Sequence, residues 1–155
     1  MTRVISQVVE VCVFRFAENR PEYLLLRRAA EETIHTGIWQ FVTGTIEDGE
    51  KGLGAALREL KEETGMTPER FWVVPYTNAF YDHRADAMTL IPFFAAQCAM
   101  GEVPRLSSEH TAFEWVGYKE ARSRLVWPGQ RNGLDVVHIC IAGGEEASRL
   151  IAIPL

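Results

Sequence analysis

The sequence predicts an α/β domain built around a mixed β-sheet. Strand-like segments rich in β-branched and aromatic residues recur along the chain, and a segment with apolar residues at helical spacing interrupts them. No repeat, low-complexity tract or linker divides the 155 residues. That length suits one core, so we expect a single domain over residues 1–155.

The first third of the chain predicts strands. Residues 8–16 carry apolar side chains at alternating positions on both faces, which is typical of a strand covered on both sides. Turn-forming residues at 18–21 lead to a second strand over 23–28. Residues 29–37 are predicted as a loop, and 39–43 as a short extended segment.

The most regular segment, 51–64, predicts a helix. Leu53, Leu57 and Leu60 recur at helical spacing, and Gly65 stands where a left-handed C-cap belongs.

The second half predicts alternating strands and helices. We expect strands at 71–77, 88–98 and 113–116, and helices at 119–125 and 130–141. The polar segment 81–86 predicts the connection of a hairpin, and 143–146 predicts a loop.

Composition argues against several classes of partner. The net charge is −5, and no run of basic residues is longer than Arg27-Arg28, so neither long nucleic acid nor an anionic membrane is expected to bind. No apolar stretch reaches the roughly 18 residues that cross a bilayer, and the N-terminus lacks the pattern of a signal peptide. Cys12, Cys98 and Cys140 have no metal-type spacing, which fits buried thiols in the cytoplasm.

The predicted helix carries an acidic edge. Glu59, Glu62 and Glu63 stand at i, i+3 and i+4, where like charges repel each other. Ala55 and Ala56 precede them in the same sector, so we expect this edge to face a cavity with room for a ligand. Carboxylates at this spacing suit Mg²⁺ or Mn²⁺, although a solvated acidic helix face is the alternative from these residues alone.

Residues around that helix extend the pattern to G-x5-E-x7-R-E-U-x-E-E-x-G-U, where U is a bulky aliphatic residue. The matching positions are Gly44, Glu50, Arg58, Glu59, Leu60, Glu62, Glu63, Gly65 and Met66. This segment resembles the Nudix box at every specified position. The resemblance implies the Nudix fold, an α/β/α sandwich around a mixed β-sheet, and Mg²⁺-dependent hydrolysis of a nucleoside diphosphate linked to another group.

The same resemblance assigns roles within the box. The Gly44 carbonyl, Glu59, Glu62 and Glu63 are expected to surround the cation. Glu59 is our first choice for the residue that takes a proton from the attacking water. The resemblance also implies that Arg58 and Glu50 brace the loop against the helix.

Candidates outside the box are fewer. Glu109 precedes a predicted strand in the place where many members of the family carry a further ligand or base, and a surface glutamate is the alternative. Arg27 and Arg28 end a strand that runs towards the predicted site, and we expect one of them to hold a phosphate.

The segment from Trp39 to Gly44 resembles the subgroup that cleaves nucleoside or dihydroneopterin triphosphates to the monophosphate and pyrophosphate. Trp39, Gln40 and Tyr81 are the corresponding candidates for substrate binding. The aromatic rings would stack on a base or pteridine, and packing in the core is the alternative.

Two other functions remain open. Tyr81 lies close to, but off, the spacing of a tyrosine in dinucleoside polyphosphate (Ap4A-type) hydrolases. A non-catalytic nucleotide sensor would not need Glu59, Glu62 and Glu63, so we expect catalysis. The resemblance also allows a homodimer.

Overall fold

The computed structural model of the chain describes residues 1–30 and 36–155. The strands are β1 (Arg3–Ile5), β2 (Val8–Ala17), β3 (Arg20–Arg28), β4 (Trp39–Gln40), β5 (Val42–Thr45), β6 (Arg70–Asp82), β7 (Ala87–Gln97), β8 (His110–Val116) and β9 (Ala152–Ile153). The helices are α1 (Gly52–Thr64), α2 (Tyr118–Arg124), α3 (Pro128–Val136), which continues as a π-helical turn over Val137–Ala142, and α4 (Glu145–Leu150).

The strands form one mixed sheet, as predicted. The order along its main path is β4-β3-β2-β7-β6-β9, with β1 on β7, β5 on β2 and β8 on β3. The pairs β1–β7 and β2–β7 are parallel, whereas the other strand pairs are antiparallel. β3 therefore has β4 on one side and β8 on the other near its C-terminal end.

Both faces of the sheet are covered, which explains why β2 is apolar on both sides. Val9, Val11 and Val13 pack in a core cluster with α1. Cys12 and Phe14 pack in a second cluster with α2, α3 and the π-helical turn. The predicted α/β/α sandwich is therefore confirmed.

Helix α1 follows the predicted bounds closely. It ends at Gly65, whose φ of 69° is left-handed and whose N–H donates to the Lys61 carbonyl. The prediction that Ala55 and Ala56 leave room for a ligand is wrong, because both are fully buried in the core beside Leu60. Their small size instead lets the helix lie close to the sheet.

Other elements differ in detail from the sequence-based expectations. The predicted hairpin is present, but β6 runs on to Asp82, so only 83–86 form its turn. Part of the predicted loop at 143–146 is the start of α4, which Trp72 anchors by donating from Nε1 to the Ser148 carbonyl at 2.9 Å. Within the predicted loop 29–37, residues 31–35 lie outside the described part of the chain.

The cysteines and helices agree with the expectations from composition. Cys12 and Cys98 are buried and Cys140 is partly buried, all as free thiols. No helix in the described ranges is long and apolar enough to cross a membrane.

One charged residue lies inside the core. Glu10 of β2 is 4% exposed and accepts hydrogen bonds from the amides of Asn78, at 3.4 and 3.5 Å, and Gln130, at 3.3 Å. Burial raises the pKa of this carboxyl to about 6, although both amides oppose the shift. The ionised form is therefore disfavoured in the folded protein.

We expect Glu10→Gln to stabilise the protein near neutral pH. The carboxyl has its ordinary pKa of 4.5 when unfolded and about 6 when folded, so its contribution to stability is lost as the pH rises between these values. The substitution should raise the free energy of unfolding by about 2 kcal/mol near pH 7.5, as measured by denaturant titration. The gain should vanish near pH 4, and the exposed control Glu146→Gln should show no gain at either pH. A less stable Glu10→Gln variant near pH 7.5 would contradict this account.

Candidate active site

Arg58, in the middle of α1, ties the loop before the helix to the helix itself. Its Nε donates to Glu50 Oε1 at 3.0 Å, and its Nη2 donates to Glu50 Oε2 at 2.9 Å and to the Thr45 carbonyl at 2.8 Å. Glu50 Oε2 also accepts the N–H of Glu47 at 3.0 Å. These bonds lower the pKa of Glu50, chiefly through Arg58, and hold the loop in one conformation.

The same guanidinium pairs with two more carboxylates of α1. Arg58 Nη1 donates to Glu59 Oε1 at 2.9 Å and to Glu62 Oε2 at 3.2 Å. In the described ranges, no three side chains of His, Cys, Asp or Glu form a group already arranged to hold a metal ion. Arg58 thus supplies the positive charge that offsets the repulsion along this edge of the helix.

We expect Arg58→Lys to lower kcat about 10- to 100-fold, a typical effect of removing a group that holds metal-binding carboxylates. A lysine cannot make the two parallel bonds to Glu50 and also reach the Thr45 carbonyl. Steady-state kinetics with the best substrate would measure the change. The matched control is Arg122→Lys, since Arg122 bonds both oxygens of Asp135 on the opposite face of the sheet. Equal activity of the two variants would contradict the proposed role of Arg58.

Glu63 differs from its neighbours on α1 because it is buried. Its side chain is 2% exposed, and neither carboxylate oxygen accepts a hydrogen bond within the described residues. Burial raises its pKa to about 9, with further contributions from the charges of Glu109 and Glu59, whereas Arg28 opposes the shift. Glu59, Glu63 and Glu109 therefore lie close together beside Arg28. Buried oxygens without a donor, among carboxylates that repel each other, suit a hard divalent cation.

Gly44 allows Glu59 to lie against the sheet. It pairs with Val9 at the centre of the contact between β5 and β2. A Cβ at position 44 would stand 1.9 Å from Cδ and 2.2 Å from Oε1 of Glu59. Desolvation raises the pKa of Glu59, while the hydrogen bond from Arg58 lowers it. Glycine is thus required here by a close approach of the Glu59 carboxylate.

The loop that carries Glu109 is bonded to the end of α1. The Arg105 N–H donates to the Thr64 carbonyl at 2.7 Å, and the Ser107 N–H donates to the Glu63 carbonyl at 3.3 Å. The Glu109 carbonyl in turn accepts the N–H of Ala29 at 2.8 Å. These bonds bring the exposed Glu109 side chain towards the carboxylates of α1.

His110 is a site residue that the sequence analysis did not single out. It is 5% exposed, and its Nδ1 lies 3.8 Å from Glu63 Oε2. Its Nε2 lies 3.5 Å from Nε2 of Gln40, which is also buried. Gln40 is therefore packed against His110, although we predicted it to bind substrate. The available signal was a histidine that directly follows Glu109 at the start of a strand.

The remaining candidates divide between the site and other surfaces. Arg28 lies on the face of β3 that packs under α1, near enough to Glu63 to lower its pKa. Arg27 is exposed on the other face and donates to the Gly37 carbonyl at 3.4 Å. Arg124 covers the Trp39 ring, with Cζ 4.3 Å from the ring centroid. Tyr81 is 52% exposed near the end of β6 and donates to Asp86. These contacts of Arg27, Trp39 and Tyr81 are not with the carboxylate cluster.

The chain matches one family model, described as NUDIX domain, over residues 6–136. The octanoyltransferase of Myxococcus xanthus is 34% identical over 132 residues, which are 81% of this chain and 34% of that protein. The chain thus spans about a third of that relative's length. The asymmetrical bis(5'-nucleosyl)-tetraphosphatase of Mus musculus is 34% identical over 102 residues, which are 64% of this chain and 67% of that protein.

Two further comparisons concern the candidate substrates. The dihydroneopterin triphosphate diphosphatase of Escherichia coli K12 is 36% identical over 61 residues, which are 39% of this chain and 38% of that protein. The crystal structure of a Caenorhabditis elegans Ap4A hydrolase binary complex has a TM-score of 0.73 at 20% identity and covers 90% of this chain and 99% of its own. At that identity, the structural likeness shows the fold.

Proposed function

This chain belongs to the NUDIX domain family, and on that basis we propose that it is a divalent-metal-dependent hydrolase of nucleoside polyphosphates. The family, the fold and the class of enzyme predicted from the Nudix box are confirmed, since Nudix hydrolases act on phosphoric anhydride bonds. The substrate and the roles of individual residues are our proposal.

The observation that carries the proposal is the gathering of Glu59, Glu63 and Glu109 beside Arg28. We assign Mg²⁺ or Mn²⁺ to Glu59, Glu62, Glu63 and the Gly44 carbonyl, with Glu109 beside them. A divalent cation bound there neutralises phosphate charge and makes a water molecule more acidic.

The protein's own groups complete the reaction. Glu59 accepts the proton of the attacking water, because desolvation raises the pKa of its carboxyl and so increases its basicity. Arg58 keeps that carboxylate in place and ionised. Arg28 is the arginine that we assign to a phosphate, since it lies beside Glu63 whereas Arg27 faces away.

The first candidate substrate is a nucleoside or dihydroneopterin triphosphate, cleaved to the monophosphate and pyrophosphate. It rests on the resemblance of residues 39–44 to that subgroup. Gln40 and Val42 of this segment are buried and pack inside the protein, so the resemblance concerns the scaffold of the site. The second candidate is a dinucleoside polyphosphate, which the relative from Mus musculus favours.

A hydrolysis panel tests the proposal. The panel comprises dNTPs, NTPs, dihydroneopterin triphosphate, diadenosine polyphosphates and ADP-ribose, each with Mg²⁺, and pyrophosphate and nucleotide products are quantified separately. Pyrophosphate from a triphosphate supports the first candidate, and turnover of diadenosine tetraphosphate alone supports the second. Glu59→Gln, purified identically, controls for contaminating activity. Saturable binding without turnover of any compound would overturn the proposal in favour of a sensor.

A further inference from the structure

We propose that His110, held by Gln40, is a positioning residue that fixes the Glu63 carboxylate for the cation. The proposal rests on the function proposed above and assigns a task to two buried side chains which that function does not use. It predicts that His110 acts on metal affinity through Glu63 and touches neither metal nor substrate.

The sheet brings these side chains together from distant parts of the sequence. Gln40 of β4 pairs with Leu26 of β3, and His110 of β8 pairs with Arg28 of β3. Leu26 and Arg28 share one face of β3, and Leu26 packs in the core cluster under α1. Gln40 and His110 therefore meet over β3, on the face that α1 covers with Glu63.

The contact with Gln40 selects the tautomer of the imidazole. With the Gln40 Nε2 amide donating across 3.5 Å, His110 Nε2 is the acceptor. The ring hydrogen is then on Nδ1, which lies 3.8 Å from Glu63 Oε2. That distance exceeds a hydrogen bond, but it directs the N–H dipole at this one oxygen in a buried setting where such interactions are strong.

Main-chain bonds keep the imidazole and the carboxylate in register. The His110 N–H donates to the Ser107 carbonyl at 3.4 Å, and the Ser107 N–H donates to the carbonyl of Glu63 itself. The histidine is thus fixed to the backbone of the residue that it faces. Since neither oxygen of Glu63 has a hydrogen-bond partner in the described ranges, the imidazole N–H favours one rotation of the carboxylate and leaves Oε1 for the cation.

The test compares two substitutions that place an amide at different ring positions. The amide nitrogen of asparagine falls near Nδ1 of the histidine that it replaces, whereas that of glutamine falls near Nε2. His110→Gln should therefore lose the donor towards Glu63, and His110→Asn should keep it. Binding of Mn²⁺ to the whole chain, without substrate, is measured by titration with detection of free Mn²⁺ by electron paramagnetic resonance.

We expect His110→Gln to weaken Mn²⁺ binding about tenfold and His110→Asn to change it by less than about threefold. Gln40→Met should weaken binding in the wild-type background but have no further effect in His110→Gln, because the two residues act in series. The exposed His83→Gln is the control and should bind Mn²⁺ as the wild type does. Melting temperatures in EDTA establish that each variant is folded.

The outcomes separate this proposal from the proposed function. A wild-type chain that fails to bind Mn²⁺ overturns the metal site and the function with it. A wild type that binds, together with a folded His110→Gln variant of equal affinity, overturns the positioning role alone. Equal losses in His110→Asn and His110→Gln would assign His110 to packing and also overturn that role.

Discussion

Replacing Glu63 with glutamine is expected to lower kcat by roughly two to three orders of magnitude and, at the same time, to raise the melting temperature of the metal-free protein. The loss of activity follows from removing a buried anionic oxygen from the proposed cation site. Kinetics at saturating Mg²⁺ would measure it.

The gain in stability follows from the pKa of Glu63, about 9 in the fold against an ordinary value of 4.5. The folded state disfavours the ionised carboxylate, so stability is lost as the pH rises between these two values. Near pH 7.5 the unfolded chain gains by ionising this group, and glutamine removes that gain. We expect roughly 2–4 kcal/mol of added stability in EDTA.

Two controls make this prediction specific. The difference in melting temperature between Glu63→Gln and wild type should shrink as the pH falls towards 4, where both states are protonated. Glu69→Gln, an exposed substitution just beyond α1, should change neither activity nor melting temperature. A Glu63→Gln variant that is both active and less stable in EDTA would contradict the placement of Glu63 in a buried, anionic site.

Gly44→Ala is expected to lower kcat about a hundredfold, a loss comparable to removing one stabilising group from a catalytic site. The new Cβ would overlap the Glu59 carboxyl, at 1.9 Å from Cδ. Glu59 must then leave its position against β5 and its contact with Arg58. Kinetics would measure the loss, and circular dichroism should show the fold unchanged.

The matched control is Gly101→Ala, where an added Cβ meets no atom within 4 Å. It should retain wild-type kcat and melting temperature. If Gly44→Ala had the activity of this control, Glu59 would not need its observed position, and its assignment as the base would fail.

Much of the fold could be predicted because its signals are local. The leucine stripe and Gly65 define α1 within residues close in sequence, and the apolar alternation of residues 8–16 defines β2. The environment of Ala55 and Ala56 could not be predicted, since small residues mark equally a ligand cavity and a close contact between helix and sheet. Only the distance of α1 from the sheet distinguishes the two.

The same limit applies to the candidate site. Arg58 and Glu50 lie eight positions apart in the Nudix box, and the predicted contact between them is present in the structure. The contact between His110 and Glu63 joins segments far apart in the sequence and depends on the pairing of β8 with β3. Glu10 was visible as the only acid within an apolar strand, but its amide partners come from β6 and α3. Contacts of this kind follow from sheet topology and carry no local pattern.

The backbone bonds from Arg105 and Ser107 to the last residues of α1 have a consequence for protein engineering. Residues 103–109 are not an interchangeable cassette, because a graft that alters specificity would also pull on the main chain of Glu63. A library that randomises side chains of this loop while keeping its length and these two N–H donors would leave the hydrolytic machinery intact. Insertions there would not.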